Sequence, residues 1–286
     1  MGEIGRLART TKATAAIAAV LVAPPTAAWG ATVAVEDDSV VYRAARGEVN
    51  IVTMIDRSVV EESAPLVIGP GCTGPAPIIC GDPSMNGVLR LGDRDDRGEH
   101  RSSTASGFVY GGPGDDDIVS DGQAASAFGG RGADSIRLSS NGLSTGFGGS
   151  GDDSIESGPA VAEDLRGDGG DDVLVQGGGQ GSLTGGPGHD RLIASGIPDA
   201  TLRGDAGNDT LSSMGDTGLV YEGGPGDDLL LGTGDHDQLL GGSGGDRIEA
   251  ADADADTISC GPGHDTVVAD DLDVVAGDCE DVAVRD

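Results

Sequence analysis

The chain has 286 residues, 52 of them Gly and 2% aromatic, with a formal net charge of −32. Glycine at this level without a collagen triplet leaves low-complexity disorder or a repeat fold, and the acidity excludes nucleic acid or an anionic membrane as an electrostatic partner. Glycine entropy and self-repulsion oppose compaction, and a divalent cation bound only by the folded form would offset both.

Residues 1–30 read as a secretory signal peptide. Arg6, Arg9 and Lys12 form a basic start, 13–22 is an apolar run, and either Thr26-Ala27-Ala28 or Ala28-Trp29-Gly30 offers a cleavage site. The run is shorter than the ~20 residues a membrane span needs, so no membrane association is expected once the signal is removed. The chain is accordingly expected outside the cell.

Residues 31–106 form a different segment. Stretches at 33–35, 39–42, 49–55, 65–68 and 88–91 read as short strands split by charged turns. This is a small β-rich N-terminal segment, either a separate module or a set of irregular early turns that cap the solenoid; the cap is favoured, since an open solenoid end exposes apolar rungs and unpaired strand edges.

From residue 107 to 268 a repeat takes over. Hexapeptides with Gly and Asp begin at Gly111, Gly129, Gly148, Gly167, Gly185, Gly204, Gly223, Gly241 and Cys260, at intervals of 18 or 19 residues. The charge concentrates here and beyond: from Gly107 onward 36 Asp and Glu face seven Arg, so −29 of the −32 lies in this part. Apolar residues such as Ile118, Ile155, Leu174, Leu192, Leu211, Leu230 and Ile248 recur within the same period. One rung, at Gly146, lacks its apolar side chain. Two nonapeptides per period imply a parallel β-roll or β-helix solenoid of about 18 residues per turn, with two short strands and two Gly turns in each. Residues 269–286 carry further apolar pairs and read as a C-terminal cap.

Every period places Asp at the sixth position of its hexapeptide: Asp116, Asp134, Asp153, Asp172, Asp190, Asp209, Asp228, Asp246 and Asp265. On the opposite edge only Asp237 and Asp256 keep the pattern. Stacking at ~4.8 Å brings such carboxylates together, which is destabilising without a counter-ion. Hard oxygen donors on Gly turns, which open the backbone carbonyls, suit calcium. Several Ca²⁺ ions are therefore expected, with these eleven Asp residues as ligands.

The line 223–249, GGPGDDLLL GTGDHDQLL GGSGGDRIE, resembles the haemolysin-type (repeats-in-toxin, RTX) calcium-binding nonapeptide G-G-x-G-x-D-x-U-x. The resemblance implies ions between successive Gly turns, held by the sixth-position carboxylates and backbone carbonyls. Asp168, Asp205 and Cys260 depart from it at glycine positions. The end of the chain resembles bacterial secreted Gly/Asp repeat proteins, in which CGPG-type repeats precede a short strand and a Cys-Glu pair. An N-terminal export signal departs from RTX proteins, which use an uncleaved C-terminal one, and this weighs against a toxin-like role.

Four cysteines can pair in three ways. Local spacing favours Cys72 with Cys80 and Cys260 with Cys279. No H-E-x-x-H or G-x-S-x-G occurs, and no cysteine adjoins a plausible base. His189, His236 and His264 fall at fifth positions and read as solvated turn residues, while His100 stands in a polar run. Neighbouring Asp pairs such as Asp115 and Asp116 should point apart. The chain thus reads as a secreted, non-enzymatic calcium-binding protein that folds on binding Ca²⁺. The alternatives are a calcium-stabilised adhesin or matrix spacer, for which the sequence shows no aromatic cluster on one face, and an enzyme with its site in 31–106.

Overall fold

The computed structural model describes residues 31–285 apart from 38, 45–46, 48–49, 56–57, 63–65, 69–71, 74–77, 81–85, 103–105, 141, 159–161, 179, 196–199 and 216–217; between 56 and 85 only the backbone is described. The expected signal peptide at 1–30 lies outside the described residues.

Each period folds as strand, Gly turn, strand, looser turn. Among the described residues, strands alternate between two sheets of fourteen and fifteen strands, and through the repeat their neighbours come from successive turns and pair in parallel. Register is set by the apolar ladder: Ile118 pairs with Ile136, Ile136 with Ile155, Ile155 with Leu174 and Leu174 with Leu192. These steps are 18 or 19 residues, as the sequence period requires. A one-residue slip would turn every rung outward. Among the described residues there is no helix, and the protein is an all-β parallel solenoid of about nine regular turns.

The core is a narrow double column between the sheets. One sheet contributes Leu165, Leu183, Leu202, Tyr221, Leu239 and Ile258, and the other the isoleucine and leucine ladder above, all fully buried. The glycine rung at 146 does not leave a void. A Cβ there would touch Leu138 Cδ1 at 3.1 Å, Ile155 Cγ2 at 3.0 Å and Leu165 Cδ2 at 3.2 Å, so side chains of the next turn and of the opposite sheet have closed over it.

Both sheets run beyond the hexapeptides toward the N-terminus. Strands Asn86–Arg90 and Arg97–Arg101 add a further parallel turn, followed by Ser39–Arg43 and Ile51–Ile55. Among the described residues antiparallel pairing is confined to this end: Ala31–Glu36 with Ser39–Arg43, Ile51–Ile55 with Ser58–Glu62, and Ile78–Cys80 with both Ser58–Glu62 and Cys72–Thr73. His100, which the sequence left in a polar run, is instead a fully buried strand residue. Its ring occupies the space that side chains at Gly87 and Gly107 would fill.

At the other end Cys260 and Cys279 form a disulfide with Cα atoms 5.2 Å apart. The backbone sets Cys72 opposite Cys80 in an antiparallel pair; their side chains lie outside the described residues.

Candidate metal centre

The nine sixth-position Asp residues stand in one column along one edge, each at most 2% exposed. Each carboxylate reaches back to the turn before it. Oδ1 of Asp134 accepts the backbone N–H of Asp116 at 2.8 Å, and Oδ1 of Asp153 accepts that of Asp134 at 2.7 Å. The same bond recurs through Asp172, Asp190, Asp209, Asp228, Asp246 and Asp265 at 2.7–2.9 Å.

The ladder runs further than the repeat pattern shows. Asp96 donates its N–H to Oδ1 of Asp116 and accepts that of Asn50, while Asp265 donates to Oε2 of Glu280 at 3.1 Å. Asn50, a neutral amide, ends the column on one side. Asp96 closes the line Leu91–Asp96, which has Leu for the first Gly; the signal was Gly92 followed by Asp96, twenty residues before Asp116.

The second oxygens are left over. Oδ2 of Asp96 and of all nine repeat Asp residues is buried and accepts no hydrogen bond. Beside these oxygens lie main-chain carbonyls: a Cβ on Gly111 would meet Asp116 Oδ2 and Gly129 O, and one on Gly223 would meet Asp228 Oδ2 and Gly241 O. A row of buried, donorless carboxylate oxygens beside carbonyl oxygens is the donor set of a hard divalent cation.

The turns can bring carbonyls this close only through left-handed backbone. Gly130 and Gly132 have φ of 123° and 121°, and the space beside their Cα atoms holds the carbonyl oxygens of Gly112 and Gly114. Asp168 and Asp205, the departures at the second position, adopt φ of 70°, a region Asp tolerates better than most residues. Their substitution therefore leaves the turn intact.

Burial is the main reason that the column carboxyls from Asp116 to Asp246 sit above their ordinary range. Asp116, Asp153, Asp190 and Asp228 are pushed up to about 7, and Asp134, Asp172 and Asp246 to about 6. The donated N–H opposes the shift, and neighbouring carboxylates add to it. Such sites hold either protons or a metal ion.

A second ladder, not foreseen from the sequence, uses the fifth positions and runs the other way. Oδ1 of Asp115 accepts the N–H of Ala133, one turn later, at 2.8 Å. Asp171, His189, Asn208 and Asp227 continue it, His189 through Nδ1 to Asn208 N–H at 2.8 Å. His189 is thus an exposed turn residue with a structural bond, whereas His236 and His264 are exposed side chains whose rings lie 3.6 Å from Asp235 Oδ1 and 3.9 Å from Asp281 Oδ2. Asp115 and Asp116 do point apart, one exposed and one buried.

On the opposite edge Asp237 and Asp256 repeat the sixth-position bond. Oδ1 of Asp237 accepts Leu219 N–H and Oδ1 of Asp256 accepts Asp237 N–H, both at 2.8 Å.

This geometry meets an independent comparison: residues 199–217 and 220–248 match the family model of the RTX calcium-binding nonapeptide repeat, in four copies. Within residues 199–248 the chain carries RTX calcium-binding nonapeptide repeats. No curated protein matches it in sequence. The same column of bonds extends on both sides of the matched residues, from Asp96 to Glu280.

The outer face of the fourteen-stranded sheet corrects one expectation. Tyr110, Phe128 and Phe147 stack in successive turns with ring centroids 4.8 and 5.1 Å apart. Arg90 covers Tyr110 at 4.6 Å and Arg166 lies over Phe147 at 5.9 Å. The sequence concealed this aromatic cluster because its members are 18 or 19 residues apart.

Proposed function

We propose that the protein is a secreted, non-catalytic calcium-binding solenoid whose regular turns fold as Ca²⁺ fills the sixth-position column. The observation that carries this reading is the unbroken row of buried Oδ2 atoms without donors, from Asp96 to Asp265. Ionised carboxylates so placed cost several kcal/mol each unless a cation answers them. Ions between turns would be shared by Asp116, Asp134, Asp153, Asp172, Asp190, Asp209, Asp228, Asp246 and Asp265, with Asp237 and Asp256 on the other edge. The segment 31–106 and residues 269–286 close the two ends. Extracellular calcium modules bind at about 10⁻⁴–10⁻³ M, which suits a chain led by a signal peptide at 1–30.

Circular dichroism and calorimetry of the mature chain during a calcium titration test this directly. The expected result is a cooperative gain of β signal with uptake of several ions. Equal β content in chelator and in millimolar calcium, with no heat of binding, would overturn it.

A second reading, a calcium-stabilised adhesin, gains support from the outward stack of Tyr110, Phe128 and Phe147. Capture by cell-wall material that requires calcium and is lost in Phe128→Ser would favour it.

A further inference from the structure

The edge opposite the main column contains a grouping that the repeat pattern does not supply. The line 251–256, ADADADT in its context, has Asp252 at the second position, where the regular lines have a turn glycine. One carboxylate oxygen from each of Asp237, Asp252 and Asp256 lies within 4.8 Å of the other two. This is the one cluster of three such ligands among the described residues.

The three carboxylates are not equally satisfied. Asp237 is 3% exposed, and its two oxygens accept Leu219 N–H at 2.8 Å and Thr233 N–H at 3.1 Å. Asp256 is 1% exposed; Oδ1 accepts Asp237 N–H, and Oδ2 is buried with no donor. Asp252 is half-buried, its Oδ1 accepting Asp254 N–H at 3.1 Å, and its Oδ2 is likewise buried with no donor. No Arg or His forms an ion pair with any of the three among the described residues. Asp273, on the following turn, spends both oxygens on backbone N–H groups of Asp256 and Asp270. The site is thus closed by the chain itself, with two donorless oxygens inside it.

We propose that Asp237, Asp252 and Asp256 form a three-carboxylate site for one hard cation, distinct in charge from the column sites and filled before them. The proposal rests on the calcium reading above. A column site draws on one carboxylate per turn and completes its shell with neutral carbonyls. Here Asp252 adds a full negative charge, and ligand charge and rigidity are what set the affinity of oxygen sites. The ion would pin the turns containing Asp237 and Asp256 first, next to the disulfide-closed end.

Tyr221 makes the site observable. Its ring is fully buried on the rung between Leu202 and Leu239, and its hydroxyl lies in the field of Asp237 and Asp256. A terbium ion bound there should be sensitised by this tyrosine.

The experiment uses the full mature chain, as wild type, Asp252→Asn, Asp254→Asn and Tyr221→Phe, in calcium calorimetry and terbium luminescence. Asp254 is the control: it carries the same charge two residues away, and its carboxylate accepts Asp235 N–H outside the cluster. The wild type should show one ion bound roughly tenfold or more tighter than the rest. Asp252→Asn should lose that tight event and keep the later ones with the same β signal in millimolar calcium, and Asp254→Asn should keep both. Tyr221→Phe should lose luminescence at the first equivalent of terbium while retaining the tight binding heat. A tight event that survives in Asp252→Asn, or disappears equally in Asp254→Asn, overturns the site and leaves the column reading standing. Two buried acids sharing a proton, with no tight ion in the wild type, overturns it as well. A chain that takes up no ion at all defeats both readings.

Discussion

Oδ2 of Asp153 fills the space that a Cβ on Gly148 would occupy. The first glycine of a repeat is therefore a seat for the carboxylate of that same repeat, five residues on. Gly148→Ala should displace the carboxylate and cost roughly 1–3 kcal/mol, read by denaturant unfolding in millimolar calcium. Gly277, with nothing within 4 Å of its would-be Cβ, is the control, and Gly277→Ala should stay within about 0.5 kcal/mol.

Burial raises the column carboxyls, to about 7 at Asp116 and Asp153 and about 6 at Asp134 and Asp172. A pKa raised on folding means that the folded chain holds protons more tightly than the unfolded one. Its contribution to stability is full below the unfolded value of about 3.9 and is lost as pH rises through about 6–7. In chelator the chain should therefore show more β signal at pH 5 than at pH 8. Its calcium midpoint should move to higher concentration at pH 5, because protons and calcium compete for one set of oxygens. A chelated chain with the same β content at both pH values would count against this account.

Much of this was legible in the sequence, and the residues show why. Asp116 to Asp265 and the rungs from Ile118 to Val267 recur at a fixed step, so period alone gave the turn, the inward face and the column. Asp96 was missed because Leu91 replaces the glycine that marks a line. The aromatic stack and the fifth-position ladder were missed because each joins residues that become neighbours only after coiling. His100 was misjudged because its own surroundings are polar, while the space it fills is made by Gly87 and Gly107 on other strands.

Leu138 covers the glycine rung at 146. Leu138→Ala should leave a cavity that no neighbour fills, at about 2–5 kcal/mol. Adding Gly146→Ala should restore part of that loss, a non-additivity that urea unfolding of the single and double variants would measure.

The Cys260–Cys279 bond spans 19 residues. Removing it with Cys279→Ser should cost about 3 kcal/mol, confined to the last turn. Hydrogen exchange should accelerate in Val274–Val275 and Asp281–Val284 and remain unchanged in the strands near Asp153.

The sixth-position bonds all point one way: a carboxylate always fastens onto the turn that precedes it in the chain, and Asn50 begins the series. A polypeptide delivered amino end first can thus grow its rod as it emerges. Every arriving segment brings its own clasp for the segment already in place, and no portion has to wait for the tail to appear.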